Sequence, residues 1–112
     1  MDDVRRAVEE HAALFNASVL AGEWSFFVAT FAQDAVMRFT NVPVGPYEGR
    51  AAIAAAYAAQ PPDDTMTILD VDPVDDDAAT VRFAWARGGT GTMALRWRDG
   101  ELADLAITFD TE

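Results

Sequence analysis

The stretch Thr80–Phe109, TVRFAWARGGTGTMALRWRDGELADLAITF, decides the fold. Val81, Phe83 and Trp85 alternate with Arg82, Ala84 and Ala86. Met93, Leu95 and Trp97 alternate with Thr92, Ala94, Arg96 and Arg98, and Leu105, Ile107 and Phe109 alternate with Asp104, Ala106 and Thr108. Period-two alternation marks strands with one apolar and one polar face. Two turn signals divide the stretch: Gly88-Gly89-Thr90-Gly91, read as a hairpin loop, and Asp99-Gly100, a strong two-residue hairpin signal. The spacing predicts strands over 80–87, 92–98 and 101–109. The large apolar face they share must be covered by something else in the chain.

Upstream of this sheet the pattern is mostly helical. Val4, Val8, His11, Phe15 and Val19 recur at three and four residues, predicting a helix over about 2–21 with Asp2 and Asp3 at its start and Gly22 as its stop. Trp24, Phe27, Val28 and Phe31 predict a second helix over 23–31. A strand follows over 34–41, then a Pro- and Gly-punctuated loop over 41–49. An Ala-rich helix is expected over 50–60, ended by Pro61-Pro62. A strand over 65–71 and an acidic turn over 73–78 complete the order. Helices first and sheet last argue an α+β fold, with three N-terminal helices on a curved, mostly antiparallel sheet and a cavity between them.

Composition narrows the chemistry. The chain has 112 residues, the size of one domain spanning 1–112. It carries 8 basic and 19 acidic residues, a formal net charge of −11, which disfavours nucleic acid and anionic membrane surfaces as partners. Every basic residue is Arg, so Schiff-base chemistry on Lys is excluded, and with no Cys there is no thiolate nucleophile, disulfide or cysteine metal site. The acidic stretches Asp63-Asp64 and Asp70–Asp77 lack the glycine and closing Glu of a calcium loop, and the glycine-rich loop lacks a P-loop Lys, so neither a metal nor a cofactor is expected. No stretch approaches the roughly 18 apolar residues of a membrane span. A cytoplasmic location is the expectation.

Four phrases, in this order and spacing, carry a resemblance: Leu20-Ala21-Gly22-Glu23-Trp24, Phe31-Ala32-Gln33-Asp34-Ala35-Val36, Tyr47-Glu48-Gly49-Arg50-Ala51-Ala52-Ile53 and Trp97-Arg98-Asp99-Gly100-Glu101-Leu102. Together the chain resembles the nuclear transport factor 2-like superfamily, which includes ketosteroid isomerases and SnoaL-like polyketide cyclases. The resemblance implies a cone-shaped α+β barrel with one apolar pocket. It also implies where the isomerase residues would fall: the oxyanion-hole Tyr on Phe15, the carboxylate base near Phe39 (or, with a gap, on Thr40 or Asn41), and the protonated Asp near Met93. Phe cannot donate a hydrogen bond to an enolate, and neither Phe nor Met takes a proton. With the residues so placed, the hole and base of that mechanism would both be lost.

Two functions stay open. In the first, the protein binds a hydrophobic small molecule, steroid- or polyketide-like, in a pocket lined by Phe15, Trp24, Phe39, Trp85, Met93, Leu95 and Trp97. Any catalysis would be cofactor-free acid–base chemistry by His11, Tyr57 or Asn41. His11 and Tyr57 could equally be core residues. In the second, the core is filled by its own side chains and the domain is a non-catalytic interaction module. A homodimer is expected in either case; Arg38, Arg96 and Arg98 on the polar sheet face would pair across it or form a solvated surface.

Overall fold

The computed structural model describes residues 3–110. Helix α1 (Asp3–Ala21) presents Val4, Val8, His11, Ala12, Phe15 and Ser18 as its buried stripe. Residue 2, the expected start, lies outside the described residues. The helix stops at Gly22, whose φ of +69° is the left-handed conformation that glycine adopts freely, and the Gly22 and Glu23 amides return to the Ser18 carbonyl at 2.8 and 3.3 Å.

The second helix is shorter than the spacing predicts. Helix α2 covers only Ser25–Val28, and Phe31 opens strand β1 (Phe31–Phe39). Trp24, Phe27, Val28 and Phe31 are all buried, as their periodicity requires. A single turn followed by a strand buries the same four side chains as a longer helix would. What decides is Thr30, whose amide and hydroxyl both close back on the Phe27 carbonyl, at 3.1 and 2.7 Å, while its own carbonyl accepts from Leu102 N–H at 2.9 Å. That last bond belongs to a long-range strand pairing, Phe31 with Leu102, that no local pattern reveals.

Strand β2 (Tyr47–Glu48) lies inside the stretch expected to be loop, because Met37 and Val36 pair with Tyr47 and Glu48. Helix α3 (Arg50–Ala59) follows, burying Ile53 and Tyr57. Strand β3 (Met66–Asp75) runs through Pro73 into the expected acidic turn. It is the outermost strand, so the missing Pro N–H and two register shifts are tolerated, and the acidic side chains stay in water. Only Asp76 and Asp77 remain to turn into β4 (Ala78–Trp85).

Strand β5 (Thr90–Arg98) starts earlier than expected. Gly91 is not loop: it is buried in the ladder opposite Phe83 and Phe109. A Cβ there would lie 2.5 Å from the Phe83 ring and 2.8 Å from the Thr108 carbonyl oxygen. Asp99 and Gly100, both at positive φ, make the tight turn into β6 (Glu101–Phe109).

The sheet order is β2-β1-β6-β5-β4-β3, antiparallel except for the parallel β1–β6 pair. Three helices thus pack on a curved, six-stranded, mostly antiparallel sheet. Asn16 fastens α1 to β3: its amide donates to the Met66 carbonyl and accepts from the Met66 N–H, each at 2.8 Å. On the outer face Arg38 pairs with Asp104 at 3.5 Å, Arg96 with Asp75 at 3.1 Å, and Arg98 with Asp34. The three arginines singled out in the sequence thus have partners within the chain. Being half-exposed, such pairs contribute little stability.

Candidate functional site

Residues of all six strands meet α1 and α3 around a cavity of about 150 Å³. Its depth is set by buried Phe83, Met93 and Leu105 on β4, β5 and β6, and its mouth by exposed Val44 and Gln60. The walls are aromatic. Phe39 stacks on Phe109 at 5.8 Å, Phe109 on Trp85 at 6.4 Å, and Phe15 meets Trp85 at 6.0 Å. These rings come from α1 and from strands far apart in the chain, so each occupies a place the others leave.

Two buried polar groups reach this apolar space. Tyr57, on α3, donates its hydroxyl to the Met37 sulfur at 3.5 Å, a weak acceptor. Burial pushes its pKa up, so the hydroxyl keeps its proton at any physiological pH. His11, on α1, is 8% exposed and has no hydrogen-bond partner among the described residues. Burial lowers its pKa from 6.5 to about 4, so the imidazole is neutral at pH 7. Both rings lie against Phe27, at 5.1 Å for His11 and 5.4 Å for Tyr57. Among the described residues lining the cavity, none bears a charge at pH 7.

Of the residues singled out in the sequence, the structure brings His11, Phe15, Phe39, Tyr57, Trp85 and Met93 to this cavity. It does not bring the others. Asn41 is exposed at the end of the sheet, where its side chain bonds both backbone groups of Phe109. Trp24 lies behind Tyr57, stacked on it at 4.7 Å and 15°, with its buried indole N–H unpartnered among the described residues. Leu95 is core, and Trp97 lines a different cavity. Met37, Tyr47, Met66, Ile107 and Phe109 are lining residues the sequence reading did not single out. Ile107 and Phe109 carried a signal in the alternation of β6, whereas Tyr47 sits in an expected loop.

Among the described residues no group of three or more His, Cys, Asp or Glu could hold a metal ion. Among the described residues no helix is long and apolar enough to cross a membrane.

The sequence profile described as SnoaL-like domain matches residues 8–105. No curated protein matches the chain by sequence. Solved structures match its shape. A candidate polyketide cyclase from Sinorhizobium meliloti is 23% identical over 88% of this chain and 93% of that one, with a TM-score of 0.66. A candidate isomerase from Bacillus subtilis is 19% identical over 98% of this chain and 90% of its own, with a TM-score of 0.78. TerC, co-crystallised with polyporic acid, is 15% identical over 90% of this chain and 89% of its own, with a TM-score of 0.71. At these identities the likeness speaks for the fold.

Proposed function

This chain belongs to the SnoaL-like domain family of the nuclear transport factor 2-like superfamily, and on that premise we propose that it binds an uncharged, mainly aromatic small molecule bearing a carbonyl or hydroxyl group. The observation that carries this reading is an aromatic cavity whose only deeply buried polar groups among the described residues, Tyr57 and His11, are both neutral and lack a strong protein partner. Tyr57 offers a donor to a ligand carbonyl, and the free nitrogen of His11 offers an acceptor to a ligand hydroxyl. A charged ligand would lose its hydration and find no counter-charge. The co-crystallisation of TerC with an organic ligand is consistent with such a use of the frame.

Volume limits the ligand. A cavity of about 150 Å³ is half the lower end of ordinary ligand sites, about 300 Å³. An apolar cavity of about this volume holds one benzene ring. One ring of the ligand therefore enters, and the remainder leaves through the mouth beside Val44 and Gln60. Any reaction is cofactor-free, with Tyr57 as a hydrogen-bond donor to a carbonyl oxygen that gains negative charge. His11, with a pKa of about 4, positions a hydroxyl rather than abstracting a proton at pH 7.

Calorimetric titration with hydroxylated aromatic ketones tests the reading. Binding that disappears in Phe39→Arg and weakens in Tyr57→Phe is expected. Equal affinity for the corresponding aromatic carboxylates would overturn it. The small volume and the Trp24–Tyr57 and Phe39–Phe109 stacks favour the second reading, a filled core in an interaction module. That reading requires no aromatic ketone to bind. In either case we propose a homodimer through the outer sheet face, where arginine and aspartate alternate; sedimentation of wild type and Arg82→Glu checks it.

A further inference from the structure

A groove between the α1–α2 link and α3 is not used by the reading above. It measures about 580 Å³, within the range of ligand sites. Val28 and Ala29, at the end of α2, wall it on one side, and Ala54 and Ala58 of α3 wall it on the other. Arg50, Ala54 and Ala58 follow one another at four-residue spacing, so they line one face of α3 over about 12 Å of its axis. The alanines leave room for a ligand body and offer it no polar group.

Arg50 is unlike the other arginines of the chain. Every other one is exposed, whereas Arg50 is half-buried. Arg38, Arg87, Arg96 and Arg98 each face a carboxylate, and Arg50 has no ion-pair partner among the described residues. It also opens a helix, where a cation meets the positive end of the dipole. The N-terminus of α3 has no side-chain cap and no acidic residue in its first turn to offset that charge. An anion supplied from the groove would offset it. The formal net charge of −11 is screened beyond about 8 Å at physiological ionic strength, so the near neighbours of Arg50 decide. The carboxylate of the described lining, Glu23, is engaged elsewhere: its Oε1 accepts from the Ser25 amide at 3.0 Å and the Ser25 hydroxyl at 2.8 Å.

The second observation is Trp24, which forms part of the groove wall. The side chain is 9% exposed, and its indole N–H is buried without an acceptor among the described residues. Indole nitrogen only donates, so no rotation of a proton relieves it. A buried donor left unpaired is costly, and an acceptor on a ligand removes that cost.

We propose that this groove is a second binding site, taking a small straight-chain carboxylic acid, as its anion, that carries a ketone farther along the chain. The carboxylate lies against Arg50, the chain runs along Ala54 and Ala58 opposite Val28 and Ala29, and the ketone oxygen accepts from the Trp24 N–H. A bare anion such as phosphate leaves the apolar walls and the indole N–H unused. A neutral ketone leaves Arg50 unpaired.

The tryptophans make the test specific. Trp24 lines this groove, Trp85 lines the aromatic cavity, and Trp97 lines neither. Titration of the ¹⁵N-labelled full chain with 7-oxooctanoate is expected to move the Trp24 indole N–H signal downfield, the direction of a newly formed hydrogen bond, and to leave Trp85 and Trp97 in place. Octanoate lacks the ketone and 2-octanone lacks the carboxylate. Each is expected to bind at least about tenfold more weakly, a factor corresponding to about 1.4 kcal/mol. Arg50→Gln should weaken binding of the keto acid about tenfold or more. Trp24→Phe keeps a ring against Tyr57 and removes the donor, so by calorimetry it should bring the keto acid down to the affinity of octanoate. An unchanged Trp85 signal verifies the folding of each variant. A still Trp24 signal at about 10 mM keto acid overturns the proposal, because a Kd of about 1 mM would nearly saturate the site there. So does equal affinity for 2-octanone or octanoate, a shift centred on Trp85, or unchanged binding in Arg50→Gln. Phe39→Arg, which blocks the aromatic cavity, should leave binding of the keto acid intact, so failure of either site is read separately.

Discussion

A buried neutral histidine makes stability depend on pH, and here the size can be worked out. His11 has a pKa of about 4 in the fold and 6.5 when exposed. At pH values above 6.5 neither state is protonated, and the full stability is present. Between 6.5 and about 4 the unfolded chain takes a proton that the folded one refuses, so stability falls as pH falls, by up to about 1.4 kcal/mol per pH unit. From about pH 7.5 to about pH 5 the integrated loss is about 2 kcal/mol. For 112 residues, at about 2.1 cal/mol/K per residue, that lowers Tm by about 8 °C. Urea titrations at both pH values, on wild type and on His11→Leu, isolate the term. Glu23 and Asp75, whose pKa values are lowered chiefly by backbone hydrogen bonds, are present in both proteins and cancel in the difference. The carboxylates that line a second cavity with His11, Glu10, Asp76 and Asp77, are exposed and screened by water. Parallel loss of stability in the two proteins, or a His11 titration near 6.5 by NMR, would refute the reasoning.

Three further outcomes follow from the packing. Asn16→Ala removes both bonds between α1 and Met66 and should cost about 1–3 kcal/mol in urea denaturation, since the Met66 groups are left without partners. Gly91→Ala forces a methyl against the Phe83 ring and the Thr108 carbonyl and should cost about 1–3 kcal/mol by the same assay; because Phe83 lines the aromatic cavity, ligand affinity should drop with it. Tyr57→Phe removes a hydroxyl bonded only to a thioether, so stability should change by less than about 1 kcal/mol, while affinity for an aromatic ketone should fall roughly threefold to tenfold by calorimetry.

Much of this was legible in the residues. The α1 stripe, the alternation of β4, β5 and β6, and the Asp99-Gly100 turn stand in the structure where their periods place them. The aromatic cavity was half legible: Phe15, Phe39, Trp85 and Met93 lie on faces whose direction a period of two or 3.6 determines. Phe31 shows the limit. Its burial follows from spacing, but whether it sits in helix or strand depends on the Thr30–Leu102 hydrogen bond, 72 residues across the chain. Asn41 shows another limit: its polar tip is taken up by Phe109 at the sheet end, a partner no local pattern names.

The sequence by itself determined the class of fold, the faces that must be buried, and the absence of thiol and lysine chemistry. Those properties are local or compositional, and each residue carries them alone. Tertiary structure decided that the cavity between helices and sheet is small, that Trp24 backs it and Trp97 leaves it, and that one histidine borders two cavities. Depth and volume arise from how side chains distant in sequence interdigitate, as Phe15 does with Trp85 and Phe39 with Phe109. A one-dimensional pattern states which way a side chain points and not what it meets there.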